Sequence, residues 1–207
     1  MIGLTGGIAS GKSMVTKRLR ELGAVVFDAD EVAREVMADP SALKKVRRAF
    51  GKGVFRDDGT LDRKKLAAVV FASEEKIKKL ERITHPAIAK ALKQRASEAE
   101  AAGSIAFVDA ALLIESGFNR VCGEVWLVTA PLKTRILRAM ARDGMTRDEA
   151  MARISKQMSD EKKAGYASVV IDNSGSLEEL YLKVDAEYEK VKNKAIKAET
   201  AGAYGEE

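Results

Sequence analysis

Near the start of the chain, Gly6-Gly7-Ile8-Ala9-Ser10-Gly11-Lys12-Ser13 has the spacing of a phosphate-binding loop: a glycine, four free positions, then Gly-Lys-Ser. Each part has a chemical reason. Glycines let the backbone curl until successive N–H groups face phosphate oxygens. Lys12 is placed to reach the outer phosphates of a nucleotide, and the Ser13 hydroxyl is a ligand type for Mg²⁺. A helix opening at the same place adds its positive N-terminal end.

Carboxylates form a second set. Asp28 and Asp30 follow the apolar run Ala24–Phe27, and Asp109 follows Ile105–Val108. In an open α/β sheet, ligands sit at the carboxyl ends of strands, so these acids are expected beside the loop if the strands are neighbours. Asp109 stands where an acid beyond the Mg²⁺ ligands commonly sits. Asp30 has two readings: N-cap of the helical pattern Glu31–Val36, or the carboxylate that accepts a proton from an attacking hydroxyl. For Asp28 the cap reading is not expected.

Basic residues form the third set. Arg135, Arg138 and Arg142 share one helical face, and Arg153 and Lys156 follow on a second helix that opens with the capping box Thr146–Glu149. Few large apolar residues accompany them, so weak anchoring is expected. The pair is either a solvated helix surface or a mobile lid that brings arginines onto transferring phosphates.

The elements that must position these groups follow from pattern. Met1–Thr5 reads as a buried parallel strand, and Val15, Leu19 and Leu22 lie on one helical face that stops at Gly23. Further strands are expected at Ala24–Phe27, Ile105–Asp109, Glu124–Thr129 and Ser168–Asp172, giving a three-layer α/β sandwich on a five-stranded parallel sheet. Between the second and third strands the chain is helical, with starts expected at Ser41, Asp62 and Ser73 and a break at Thr84-His85-Pro86. So long a run exceeds one crossover and suits an insertion that holds a second substrate. The expected division is a nucleotide-binding core (1–30, 104–132, 166–200), a helical acceptor region (31–103), a lid (133–165) and a flexible tail (201–207).

Composition narrows the classes. The 207 residues are 46% hydrophobic and 32% charged, enough for a real core in one domain with an insertion. The net charge of +5 suits a polyanionic substrate, but aromatics are only 5% and no basic block is interleaved with them, which argues against a nucleic-acid surface. The one cysteine, Cys122, allows no intrachain disulfide and reads as an apolar thiol; the one histidine excludes His-rich zinc sites. No signal-type segment or membrane-length apolar run is seen, so a cytoplasmic protein without a membrane partner is expected. Monomer or weak oligomer is the expected state.

With those residues laid out, the chain resembles the dephospho-CoA kinase family to about Glu189. The matching pieces are Leu4-Thr5 with the glycine-rich loop, Asp28-Ala29-Asp30 with Ala33-Arg34, Asp58–Arg63 with Leu66, Leu80-Glu81 with His85-Pro86, Leu112-Leu113, Arg142-Asp143-Gly144 and Ile171–Gly175. Met14, Ala111 and Ser168 depart from the family's usual Thr, Pro and Asp. The resemblance implies a P-loop kinase fold with a helical acceptor insertion and a helical lid, and ATP-dependent phosphorylation of the ribose 3′-hydroxyl of dephospho-CoA with Mg²⁺. It implies ATP contacts at Gly7, Ile8, Ala9, Ser10, Gly11, Lys12, Ser13, Met14 and Arg142, with Asn173 near adenine. Acceptor contacts are implied at Thr5, Asp30, Arg34, His85, Asp109 and Leu112. Catalysis is expected from Lys12, Asp30, Arg138 and Arg142, with Ser13 on the metal and Asp109 behind it. Before the resemblance, a kinase of another small metabolite was equally open. A GTP switch lacks its Asn-Lys-x-Asp run here.

Overall fold

Strand β1 (Ile2–Gly6) is buried at every position, as a central parallel strand must be, because helices cover both of its faces. The computed structural model, which describes residues 1–203 and the side chains of residues 1–197, pairs β1 on both sides. With β2 (Val25–Asp28), β3 (Ala106–Asp109), β4 (Glu124–Thr129) and β5 (Val169–Asp172), it forms a five-stranded sheet in the order β2-β3-β1-β4-β5. The resolved pairings are parallel, with Ile2 opposite both Phe107 and Glu124. The fold class expected from the sequence is the one observed.

The chain divides into two units, residues 1–27 with 96–207, and residues 28–95. In the first, Leu4, Val15, Leu19, Phe107, Trp126, Val128 and Leu180 form the core. Phe107 meets Trp126 edge to face at 5.1 Å between ring centroids and 76° between planes, a favoured geometry for an aromatic pair. Helix α1 (Lys12–Glu21) is tied to α9 (Leu177–Ala203) by a two-pronged ion pair from Arg18 to Asp185, with both contacts at 2.7 Å. Helix α9 continues to Ala203; of the tail expected at 201–207, residues 204–207 lie outside the described residues.

The second unit consists of α2 (Ala29–Val36), α3 (Pro40–Phe50), α4 (Arg63–Val70) and most of α5 (Glu74–Ala101), around Val46, Val54, Phe55, Leu66 and Val70. Three sequence expectations are corrected here. Asp28, not Asp30, caps α2: its side chain accepts from the N–H groups of Asp30 at 2.8 Å and Glu31 at 3.0 Å. The chain leaves β2 with Asp28 still extended (φ −81°, ψ 115°) and enters the helix without a loop, so the cap falls on the last strand residue. Asp39, not Ser41, caps α3, because Pro40 takes the first helical position where its missing N–H costs nothing. Finally, Pro86 does not break a helix. Helix α5 runs through it, with Thr84 at 7%, Ile88 at 4% and Leu92 at 0% exposure on either side. That burial outweighs the ~3 kcal/mol local cost of an interior proline.

Caps at Asp62, Thr146 and Ser176 form as their spacing predicts. Among the described residues, no helix is long and apolar enough to cross a membrane.

Candidate active site

The glycine-rich loop links β1 to α1 and takes the backbone such a loop needs. Gly11 lies at φ 96°, and Ala9, at φ 59°, is the only non-glycine residue with positive φ among the described residues. The first N–H groups of α1 have no intrahelical acceptor and open onto the loop. A cleft of about 670 Å³ lies over it, lined by Gly6 through Ser13 together with Ala111, Arg138, Ala141 and Arg142. That is within the size range of small-ligand sites.

Side chains from distant parts of the chain hold this loop. Ile8 is gripped on both sides of its backbone: its N–H donates to Gln157 Oε1 at 2.7 Å, and its carbonyl accepts from Arg135 Nε at 2.9 Å. Arg135 is itself held by Asp160 at 3.1 Å and is 6% exposed. Ser10's carbonyl accepts from Asn173 Nδ2 at 2.8 Å. A Cβ at Gly7 would fall on the Arg135 guanidinium, and one at Gly11 on the Asn173 amide, so close approach favours glycine at both positions and the positive φ favours it at Gly11 as well.

The charges are arranged in a readable order. Lys12 forms an ion pair with Asp109 Oδ1, and Asp109 Oδ2 accepts from Thr16 Oγ1 at 2.6 Å. Both oxygens of Asp109 are therefore engaged. Arg138 donates Nη2 to the Asn173 carbonyl at 3.2 Å, while its Nη1 is buried without a partner among the described residues. A buried unpaired guanidinium nitrogen on a phosphate-loop cleft is a donor waiting for an acceptor. Arg142 is exposed and grips the neighbouring Asp143 with two bonds of 2.7 and 2.8 Å, which raises its pKa and lowers that of Asp143. Ser13 presents its hydroxyl on the exposed first turn of α1. Its position beside Lys12 fits a metal carried in with nucleotide phosphates.

Among the other residues singled out from the sequence, Thr5 is buried and donates to the Ala111 carbonyl at 3.3 Å, and Leu112 is half-exposed beyond it. Asp30, Arg34 and His85 belong to the second unit. Asp30, relieved of capping, is exposed on the first turn of α2. His85 is half-buried within α5. The departures at Met14, Ala111 and Ser168 are accommodated. Met14 packs on the core, Ala111 lines the cleft and offers its carbonyl to Thr5 and Lys163, and Ser168 Oγ accepts from the Val125 N–H at 3.3 Å.

The basic hairpin is corrected in one respect. Helix α6 (Leu132–Asp143) and α7 (Arg147–Ile154) share a cluster of Ile136, Ala139 and Ala150 with Ile8, Ala9, Met140, Met145 and Ile154. It is better anchored than expected because the few isoleucines and methionines of the hairpin converge on Ile8 and Ala9 of the loop, with alanines allowing close packing. In α8 (Asp160–Ala164), Lys163 is fully buried, donating to Ala111's carbonyl at 3.1 Å and pairing with Glu115 at 3.0 Å. Sequence reasoning missed Thr16, Gln157, Asp160 and Lys163. Only the polar run Gln157–Lys163 after a basic helix hinted at them.

A family model described as dephospho-CoA kinase matches residues 1–179. A Geobacter sulfurreducens protein named dephospho-CoA kinase is 48% identical over 187 residues, covering 89% of this chain and 95% of that protein. The solved structure of a Thermus thermophilus protein is similar with a TM-score of 0.76 at 38% identity, covering 91% of this chain and 96% of that one. A dephospho-CoA kinase from Campylobacter jejuni is similar with a TM-score of 0.70 at 25% identity, covering 93% and 97%.

Proposed function

The chain belongs to the dephospho-CoA kinase family, and from that premise we propose that it transfers the γ-phosphoryl group of ATP to the ribose 3′-hydroxyl of dephospho-CoA, giving coenzyme A and ADP. The observation that carries the reading is the glycine-rich loop cleft with Lys12 on one side and Arg138 Nη1, unpaired among the described residues, on its lining.

In this reading the N–H groups of Ala9 through Ser13 cradle the phosphates, and Lys12 exchanges its Asp109 partner for β- and γ-phosphate oxygens. Asp109 stays fixed by Thr16. Arg138 offers its free nitrogen to the transferring group, and Arg142 gives up Asp143 to join it. Asp30 accepts the proton of the attacking hydroxyl as the new P–O bond forms and the bond to the leaving ADP oxygen breaks. Mg²⁺, held with the nucleotide by Ser13 and with Asp109 behind it, would neutralise charge between the phosphates. Asn173 acts mainly as a brace for Ser10 at the edge of the adenine site.

Acceptor recognition belongs to residues 31–103, with Arg34 and His85 among its contacts, and residues 133–165 serve as the lid. We place the protein in the cytoplasm, as a monomer or weak oligomer without a nucleic-acid or membrane partner. A coupled assay of ADP release tests the reading. Release should depend on dephospho-CoA, should not be supported by a panel of nucleosides and sugars, and should fall at least ~10²-fold in Lys12→Ala, the order seen when one donor to developing charge is lost. Release supported by another acceptor but not by dephospho-CoA would refute it.

A further inference from the structure

Lys163 is the most buried cation among the described residues, yet it does not line the cleft over the glycine-rich loop. Taking an ammonium out of water is costly, and a buried ion pair returns little net stability compared with apolar side chains of the same size. The contacts of Lys163 show what its burial accomplishes. Its Nζ donates to the Ala111 carbonyl at 3.1 Å and pairs with Glu115 Oε1 at 3.0 Å. The same Glu115 oxygen accepts from the Met158 N–H at 3.2 Å. The Ala111 carbonyl also accepts from Thr5 Oγ1 at 3.3 Å. A carbonyl oxygen has two lone pairs, so two donors engage this one fully and fix the orientation of the peptide that follows Ala111.

Ala111 opens the turn at 111–117, two residues after Asp109 ends β3, and it lines the same cleft as the glycine-rich loop. The short segment 157–163 therefore reaches two walls of one cleft. Gln157 directly, and Asp160 through Arg135, hold Ile8 of the loop. Met158 and Lys163 hold the turn. We infer that Lys163 is a positioning residue for phosphoryl transfer: its bond to the Ala111 carbonyl fixes the turn after β3, and with it Asp109, relative to phosphates held by the loop. The inference rests on the transfer reaction proposed above. Lys163 acts through Ala111 and touches neither substrate; Glu115 neutralises its charge, and the bond to Ala111 carries the positioning. Displacing such a wall by about 1 Å is enough to cost roughly 10²-fold in rate.

Variants of the full chain separate positioning from stability. Lys163→Met removes the donor and leaves Glu115 charged, so the melting temperature should drop. Its kcat with dephospho-CoA should fall roughly 10²-fold, while the KM for ATP stays nearly unchanged because Gln157 and Arg135 still hold Ile8. Adding Glu115→Gln removes the stranded charge and should recover most of the melting temperature but not kcat. Glu115→Gln alone keeps an oxygen for Lys163 and for the Met158 N–H, and should retain most of its kcat. Recovery of kcat together with melting temperature in the double variant would overturn the inference and leave the pair a purely structural one. A kcat loss in Glu115→Gln as large as in Lys163→Met would also overturn it. If Lys163→Met does not fold even with Glu115→Gln, Thr5→Val decides, since it removes the other donor to the same carbonyl and leaves the ion pair intact. A lowered kcat in Thr5→Val, restored in Thr5→Ser, is the expected result, and an unchanged kcat would overturn the inference. No turnover of dephospho-CoA by the unaltered protein would instead overturn the activity on which the inference rests.

Discussion

Removing Gln157 or Asp160 should disable a loop that neither residue belongs to. Gln157 supplies the acceptor for the Ile8 N–H at 2.7 Å, in a part-buried place. Gln157→Ala therefore loses one hydrogen bond, worth about 1 kcal/mol net, and leaves a backbone donor to be satisfied, another 1–3 kcal/mol if it stays dry. Asp160→Ala acts differently. It strips the counter-charge from Arg135, whose side chain is 7% exposed against 17% for Asp160. Breaking a well-buried pair costs roughly 3–5 kcal/mol, and the partial exposure of Asp160 places this one toward the lower end. Asp160→Asn keeps an oxygen for Arg135 and should cost less. The assay is ATP binding by calorimetry alongside thermal melting. The Arg135–Asp160 coupling comes from a double-mutant cycle, expected at 0.5–3 kcal/mol. Gln157→Ala should weaken ATP binding about tenfold with only a modest loss of melting temperature, since its contact is to the loop alone. A Gln157→Ala protein that binds ATP normally, or a cycle with no coupling, would refute the view that this strap fixes the loop.

Asp28→Asn should be mild, because Asn caps as well as Asp, whereas Asp30→Asn should fold, bind ATP and turn over ~10²–10⁴-fold more slowly; a fast Asp30→Asn enzyme would move the proton acceptor elsewhere. Stability should fall in acid. The Ser41 hydroxyl lowers the pKa of Asp39, the Lys65 N–H that of Asp62, and the Thr146 N–H that of Glu149, from ordinary values of 3.8 and 4.5. A lowered folded pKa means stability is present above the unfolded value and is lost as pH drops through the folded one. The melting temperature should therefore hold down to about pH 4.5 and decline below about pH 4, and less so in Asp39→Asn. Cys122, pushed up to about 11 by burial, should resist thiol reagents at pH 8; rapid labelling of the native protein would contradict that placement. Hydrogen exchange at the α6–α7 turn should slow when ATP and dephospho-CoA are bound, and equal protection in both states would rule out a lid there.

The parts legible in the sequence were those with local causes. Continuous apolar runs between turns marked the parallel strands, the glycine-lysine-serine spacing marked the loop, and Thr146–Glu149 and Ser176–Glu179 announced their own caps. What escaped notice depends on residues far apart. Gln157 meets Ile8 across 149 positions and Arg135 meets it across 127, and no local pattern separates such contacts from solvated side chains. Lys163 lies in a polar run that has no apolar pattern, yet it is fully buried, its charge matched by Glu115. Arg135 shared a helical face with Arg138 and Arg142 on paper, yet the structure gives the three different work: a clamp on the loop, a free donor in the cleft, and an exposed pair with Asp143. The caps at Asp28 and Asp39 each lie two residues before the expected position, because where a helix begins after a strand or a proline is set by the chain's path rather than by residue preference.

The central claim, transfer of phosphate to one hydroxyl of one acceptor, is tested most directly by identifying the product. The protein should be incubated with ATP, Mg²⁺ and dephospho-CoA, and the product analysed by phosphorus NMR and mass spectrometry. A single added phosphate, coupled to the proton on the ribose 3′-carbon and absent from the product of Lys12→Ala, is the result this account predicts. A phosphate at any other position, or ATP consumed with dephospho-CoA recovered unchanged, would contradict it.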